Sequence, residues 1–76
     1  MAELLAYLAR HLVDDEDAVS VEEVETEGAI VLKLTVAKDE VGKVIGRQGR
    51  IARALRAIAR ASGARTHRRV VLEIVE

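Results

Sequence analysis

The chain contains no cysteine and no proline, and its only aromatic residue is Tyr7. Without cysteine there are no disulfides and no thiolate metal ligands. Without proline, the five glycines are the strong punctuation. Phe and Trp are absent, so aromatic platforms for base stacking, worth roughly 1–3 kcal/mol per base, are missing. No apolar run approaches the roughly 20 residues of a membrane span. Met1 to Val13 carries Glu3 and Arg10 inside its apolar pattern, unlike a secretory leader. A cytoplasmic location away from membranes is the expectation. Catalytic signatures are missing as well. There is no Ser-His-Asp set, Gly42 to Gly49 fits neither a Walker loop nor GxGxxG, and the carboxylates cluster in the N-terminal half. His11 and His67 have no spaced partners for a metal. The reading is therefore of a protein that is not an enzyme and holds no metal or cofactor.

What is present describes one small folded domain spanning 1–76. Half of the residues are hydrophobic, and a chain this size buries only about 60–65% of its unfolded surface, so the core is thin. The net charge of −1 conceals a division. Residues 1–37 sum to −7 and residues 38–76 to +6. Between Val41 and Leu72 there are nine Lys or Arg and no acid. Such polarity describes a basic face for a polyanion on an acidic body, or else an ordinary solvated surface.

Hydrophobic spacing predicts the elements. Leu4, Leu5, Leu8 and Leu12, with Ala9 and Val13, mark a first helix with one buried stripe, ended by the acidic turn Asp14 to Asp17. Val19 and Val21 alternate in a first strand, and Val24 falls out of step, which predicts a twist or a bulge. Gly28 turns the chain into a second strand with Ile30, Leu32, Leu34 and Val36 on its core face. Asp39 is a candidate N-cap for a short helix with Val41, Val44 and Ile45 on one face, and Gly46 ends it. A longer helix follows Gly49, with Ile51, Leu55 and Ile58 buried, Ala54 beside them, and Gly63 just past its end. On its other side Arg50, Arg53, Arg56 and Arg60 fall within about 120°. Val70, Leu72 and Ile74 mark a last strand. The order α-β-β-α-α-β predicts an α+β fold in which a three-stranded mixed sheet is covered on one face by three helices.

The most specific segment is Val44-Ile45-Gly46-Arg47-Gln48-Gly49-Arg50-Ile51. One glycine would suffice to end a helix; a second, at the next helix start, leaves room for another backbone to approach. The first amides of that helix sit at a positive dipole end that suits a phosphate. Arg47, Arg50 and Arg53 add cations, and Lys43 lies one turn before the loop.

This octapeptide resembles the KH-domain signature, an aliphatic pair followed by GxxG and a further aliphatic. In that family the loop clamps the backbone of about four nucleotides. Most of the chain precedes the loop, so the extra helix and strand stand before the βααβ core, as in the type II arrangement. The length, the run Val44 to Arg56 and the ending Val71-Leu72-Glu73-Ile74-Val75-Glu76 are similar to the small stand-alone bacterial KH proteins of the KhpA family. The resemblance implies a cytoplasmic single-stranded RNA-binding protein and RNA chaperone or post-transcriptional regulator. It also implies a homodimer, or a heterodimer with a larger KhpB (Jag/EloR)-like protein, and a link to cell shape and cell wall biogenesis. The RNA-binding candidates are Lys43, Ile45, Gly46, Arg47, Gln48, Gly49, Arg50 and Arg53. Arg56 and Arg60 read as a solvated face, and strand alternation allows at most one of Arg68 and Arg69 into the groove. Two alternatives stand beside this reading: a dimerisation module whose partner supplies the RNA contacts, and a single-stranded DNA binder. Without aromatics, a single domain grips weakly and gains from a second chain.

Overall fold

Alternation of Ile30, Leu32 and Leu34 with Val31 and Lys33 makes β2 (Ala29–Thr35) the centre of the sheet. In the computed structural model, which describes residues 1–75, β2 lies between β1 (Ser20–Thr26) and β3 (Arg69–Ile74). β1 pairs antiparallel through the tight turn at Glu27 and Gly28, where Gly28 supplies φ 81°. β3 pairs parallel with β2, Leu72 beside Leu32, so the chain must cross over between them. Two helices make that crossing: α2 (Val41–Ile45) and α3 (Arg50–Thr66). The first helix, α1 (Ala2–Arg10), packs on β1 and β2, while α3 packs on β3 and carries α2.

The core lies between sheet and helices. Leu5, Leu32, Leu34 and Val44 are sealed from solvent, each worth about 1.5–3 kcal/mol of transfer energy. Val13, Val19, Val36, Leu55, Val70 and Leu72 join them. On the opposite face of the sheet, Val24, Val31 and Val71 form a row across the three strands.

Five local expectations change. The α1 stripe is centred on Leu5, Ala6 and Ala9, and Leu4 is left 45% exposed. No bulge interrupts β1: its register with β2 is continuous, and Val24 is out of step because it faces Val31 on the outer side. Asp39 caps nothing; a 3-10 turn at Lys38–Glu40 leads into α2 without a side-chain cap. Ala54 is exposed, and Ala52, Leu55 and Ala59 form the sealed side of α3. Finally, Gly63 does not end α3. The helix continues to Thr66 and closes at His67, which takes the left-handed conformation at φ 58°. Gly63 instead admits the next strand, since a Cβ there would stand 2.3 Å from the Arg68 carbonyl oxygen and 2.9 Å from Val70.

Candidate nucleic-acid interface

The loop between α2 and α3 is Gly46 followed by a 3-10 turn, Arg47–Gly49, and three of these four residues have positive φ. Gly46 takes φ 76°, ψ 173°, a region essentially reserved for glycine. Its amide donates to the Gly42 carbonyl at 2.9 Å, closing α2. The chain then doubles back so closely that a Cβ on Gly46 would meet Ile51 Cγ1 at 2.7 Å. Gly49, at φ 74°, is the opposite case: its Cβ position faces open space. Gln48 holds φ 58° at the tip beside Arg47, and both side chains are exposed. No side chain caps the first turn of α3, so the helix dipole at that end is left to whatever approaches the loop.

The predicted residues separate into two groups. Gly46, Arg47, Gln48, Gly49, Arg50 and Arg53 share the loop and the outer turns of α3, with Ile45 half-buried just before them. Among the described residues, no carboxylate pairs with Arg47, Arg50 or Arg53. Lys43, on the α2 side of the loop, is already paired. Its Nζ donates to Glu40 Oε2 at 2.9 Å and to Asp14 Oδ2 at 3.0 Å. Glu40 is only 5% exposed, and its carboxylate also accepts the amides of Asp14 at 2.6 Å and Asp15 at 2.9 Å. Those two amides, then the Lys43 ammonium, outweigh burial and hold the Glu40 carboxyl down at about 2. In return Glu40, and after it Asp14, hold the Lys43 ammonium above its ordinary range.

Beyond Arg53 the outer face of α3 meets β3 in an open cleft of about 540 Å³. Arg53, Arg56, Arg60, Arg68 and Arg69 rim it, over a floor of Val70 to Leu72 with Ala64. Arg56 and Arg60 are exposed, as a solvated face requires, and they also wall the cleft. One expectation is corrected. Arg68 and Arg69 both reach the cleft, because Arg68 precedes the strand and escapes its alternation. Arg68 is also tied to Glu25 of β1, Nη1 to Oε1, at 2.5 Å. A clue was there in the sequence: the acid-free stretch from Val41 to Leu72 continues past α3 into β3.

A family profile described as KhpA/KhpB, KH domain, matches residues 2–74. The chain belongs to the KhpA/KhpB KH-domain family. Among its relatives, the RNA-binding protein KhpA of Aquifex aeolicus is 50% identical over all of this chain and 96% of its own length. The RNA-binding protein KhpA of Clostridium acetobutylicum is 48% identical over 99% of this chain and all of its own. That of Listeria monocytogenes is 40% identical over the full length of both. A crystal structure of Aquifex aeolicus Era bound to GDP.AlF4- matches 96% of this chain with a TM-score of 0.62 at 20% identity. The chain spans 28% of that structure, and the likeness concerns the fold alone. Membership thus agrees with the three-stranded mixed sheet, the three helices and a loop of GxxG form in a KH domain. The relatives are named for RNA binding rather than for catalysis. Among the described residues no helix is long and apolar enough to cross a membrane.

Proposed function

We propose that this KhpA-family chain acts as one KH unit that binds single-stranded RNA, as an RNA chaperone or regulator in the cytoplasm and without catalytic activity. Gly46 shapes the loop, Gly49 lets the sugar-phosphate backbone approach, and Arg47, Gln48, Arg50 and Arg53 hold phosphates. Ile45 lines the start of the base path. The strand then runs along α3 to the cleft, where Ala64 and the edge of β3 line its path and no aromatic stacking is available. The observation that carries this reading is the open space at Gly49, at the uncapped start of α3 and beside arginines that have no carboxylate partner among the described residues.

The test is Gly49→Asp. Aspartate tolerates a left-handed φ at a cost of about 1 kcal/mol, so the fold is retained. Its charge meets the approaching phosphates, and affinity for a labelled oligouridine falls about tenfold, or about 1.4 kcal/mol. Equal binding by a folded variant would overturn the proposal. An oligodeoxythymidine competitor at fixed salt decides between RNA and DNA.

A second reading, pairing with another KH chain, draws on α1. Met1, Leu4 and Tyr7 are 39%, 45% and 56% exposed there, and Tyr7 leans on His11 with ring centroids 4.4 Å apart. Glu3 and Arg10 stand on the same flank of this helix, so an antiparallel α1 pair would set each against its opposite charge. The partner is then a second copy, or a larger KhpB-like protein with the same domain. Sedimentation of the wild-type chain and of Leu4→Glu at several concentrations tests it: a concentration-dependent dimer abolished by Leu4→Glu supports pairing.

A further inference from the structure

Among the described residues, Lys43 is the one predicted cation beside the loop that already has carboxylate partners, and those partners differ in kind from the one on Arg68. Glu25 leaves Arg68 in an exposed pair, with side chains 39% and 64% accessible. Such a pair is worth little and yields readily to a phosphate. Glu40, by contrast, has a side chain only 7% accessible and is fixed from two sides, by the Asp14 and Asp15 amides and by its place at the start of α2. Glu40 therefore stays beside Lys43, whose own side chain is 45% accessible. Asp14 completes the grip from a position 94% exposed, where its charge faces any polyanion that approaches. The three side chains together carry one net negative charge, and Asp15, Glu16 and Asp17 continue the acidic surface.

We infer that Glu40 and Asp14 withhold Lys43 from nucleic acid, so that the α2 flank of the loop is closed to phosphate and the strand is directed along α3. Glu40 is thus a positioning residue. It fixes the acidic connection after α1 against α2 and sets which side of the loop RNA follows. The inference rests on the RNA-binding reading, and its own mark is the salt dependence of binding. Each phosphate contact on a single strand contributes a slope of about 0.7 in log affinity against log salt.

Fluorescence anisotropy with labelled oligouridine, across a salt series, tests the inference. Lys43→Met leaves the slope unchanged. Asp14→Asn with Glu40→Gln frees Lys43 and steepens the slope by about 0.7. Adding Lys43→Met to that pair returns the slope to the wild-type value. Loss of about 0.7 from Lys43→Met alone, or no steepening in a folded double variant, would overturn the inference. If the double variant does not fold, amine acetylation of the wild-type chain decides, read residue by residue by mass spectrometry. Lys43 reacts several-fold more slowly than exposed Lys38, and equal rates count against withholding. Should wild-type binding be absent or indifferent to Gly49→Asp, the proposed function falls and this inference with it. A slope change in Lys43→Met alone removes only the inference.

Discussion

Lys43 and Arg50 flank the same loop, one on each side, and the fold treats them in opposite ways. Lys43 is bound by a buried carboxylate and an exposed one. Arg50 begins a helix whose outer arginines, among the described residues, have no carboxylate partner before the cleft with β3. Both residues belong to the same basic, acid-free stretch of sequence. What separates them is tertiary: the α1–β1 connection folds against the start of α2 and brings Asp14 and Asp15 to Glu40. A count of positive residues therefore overstates the charge available on one flank of the loop and describes it well on the other.

The most damaging way to break this contrast is to remove the turn that divides the two flanks. Gly46→Asp forces a side chain into a glycine-only conformation with its Cβ 2.7 Å from Ile51. Strain and overpacking each cost about 1–3 kcal/mol, and together they remove about 3 kcal/mol. Urea denaturation should show a lower midpoint for Gly46→Asp than for Gly49→Asp. The two glycines of the motif thus do different work: one shapes the loop and the other leaves it open.

Next in size is the cleft end of α3. In an ordinary helix, Gly63→Ala would gain about 1 kcal/mol. Here the added methyl meets the Arg68 carbonyl at 2.3 Å, and the overlap costs about 1–3 kcal/mol, so the clash wins. Thermal melts are expected to place this variant below wild type. A rise in its midpoint would mean that β3 does not approach α3 so closely.

These two glycines also show how far the sequence could be read. Gly46 was legible because its neighbours are local: an aliphatic pair before it, Gly49 and Ile51 after it. The strands were legible for the same reason, since Leu32, Leu34, Val70 and Leu72 alternate within single segments. Gly63 was misread as a helix stop because the chain that needs its missing side chain returns from the far side of a turn. His67, with no local signal for a left-handed residue, took the role assigned to Gly63. Glu40 sits in a run of charged residues, Lys38 to Glu40, that looks like solvent. Its burial depends on amides more than twenty positions away. The cleft that Arg56, Arg60 and Arg68 line was not legible on the same grounds, because it exists only once β3 lies beside α3.

The α3 flank can be weakened without touching the fold. Arg53→Gln with Arg56→Gln removes two exposed cations from the cleft wall. If each meets one phosphate, the salt slope falls by about 1.4 and affinity drops about tenfold near physiological salt. Titration of a labelled RNA at several salt concentrations measures both. An unchanged slope would confine the contacts to the loop and end the path proposed along α3.

The smallest effect belongs to the α2 flank and is confined to acid. Glu40 has its carboxyl held at about 2, against an ordinary 4.5, by the Asp14 and Asp15 amides and by Lys43. A carboxyl depressed on folding stabilises the native state above its unfolded value, and that contribution is lost as pH falls towards the folded one. Between about pH 4.5 and 2 the wild-type chain therefore loses the Glu40 contribution progressively. Glu40→Gln has no such proton to take up. Its amide carbonyl still accepts one of the two backbone amides, so near neutral pH the variant is only modestly weaker than wild type. Its stability curve should be flatter over the acid window, and the two curves should converge as the pH drops. Denaturation at a series of pH values gives both. Parallel curves would mean that Glu40 is not held as a charged group in the folded chain, and the difference between the two sides of the loop would lose its cause.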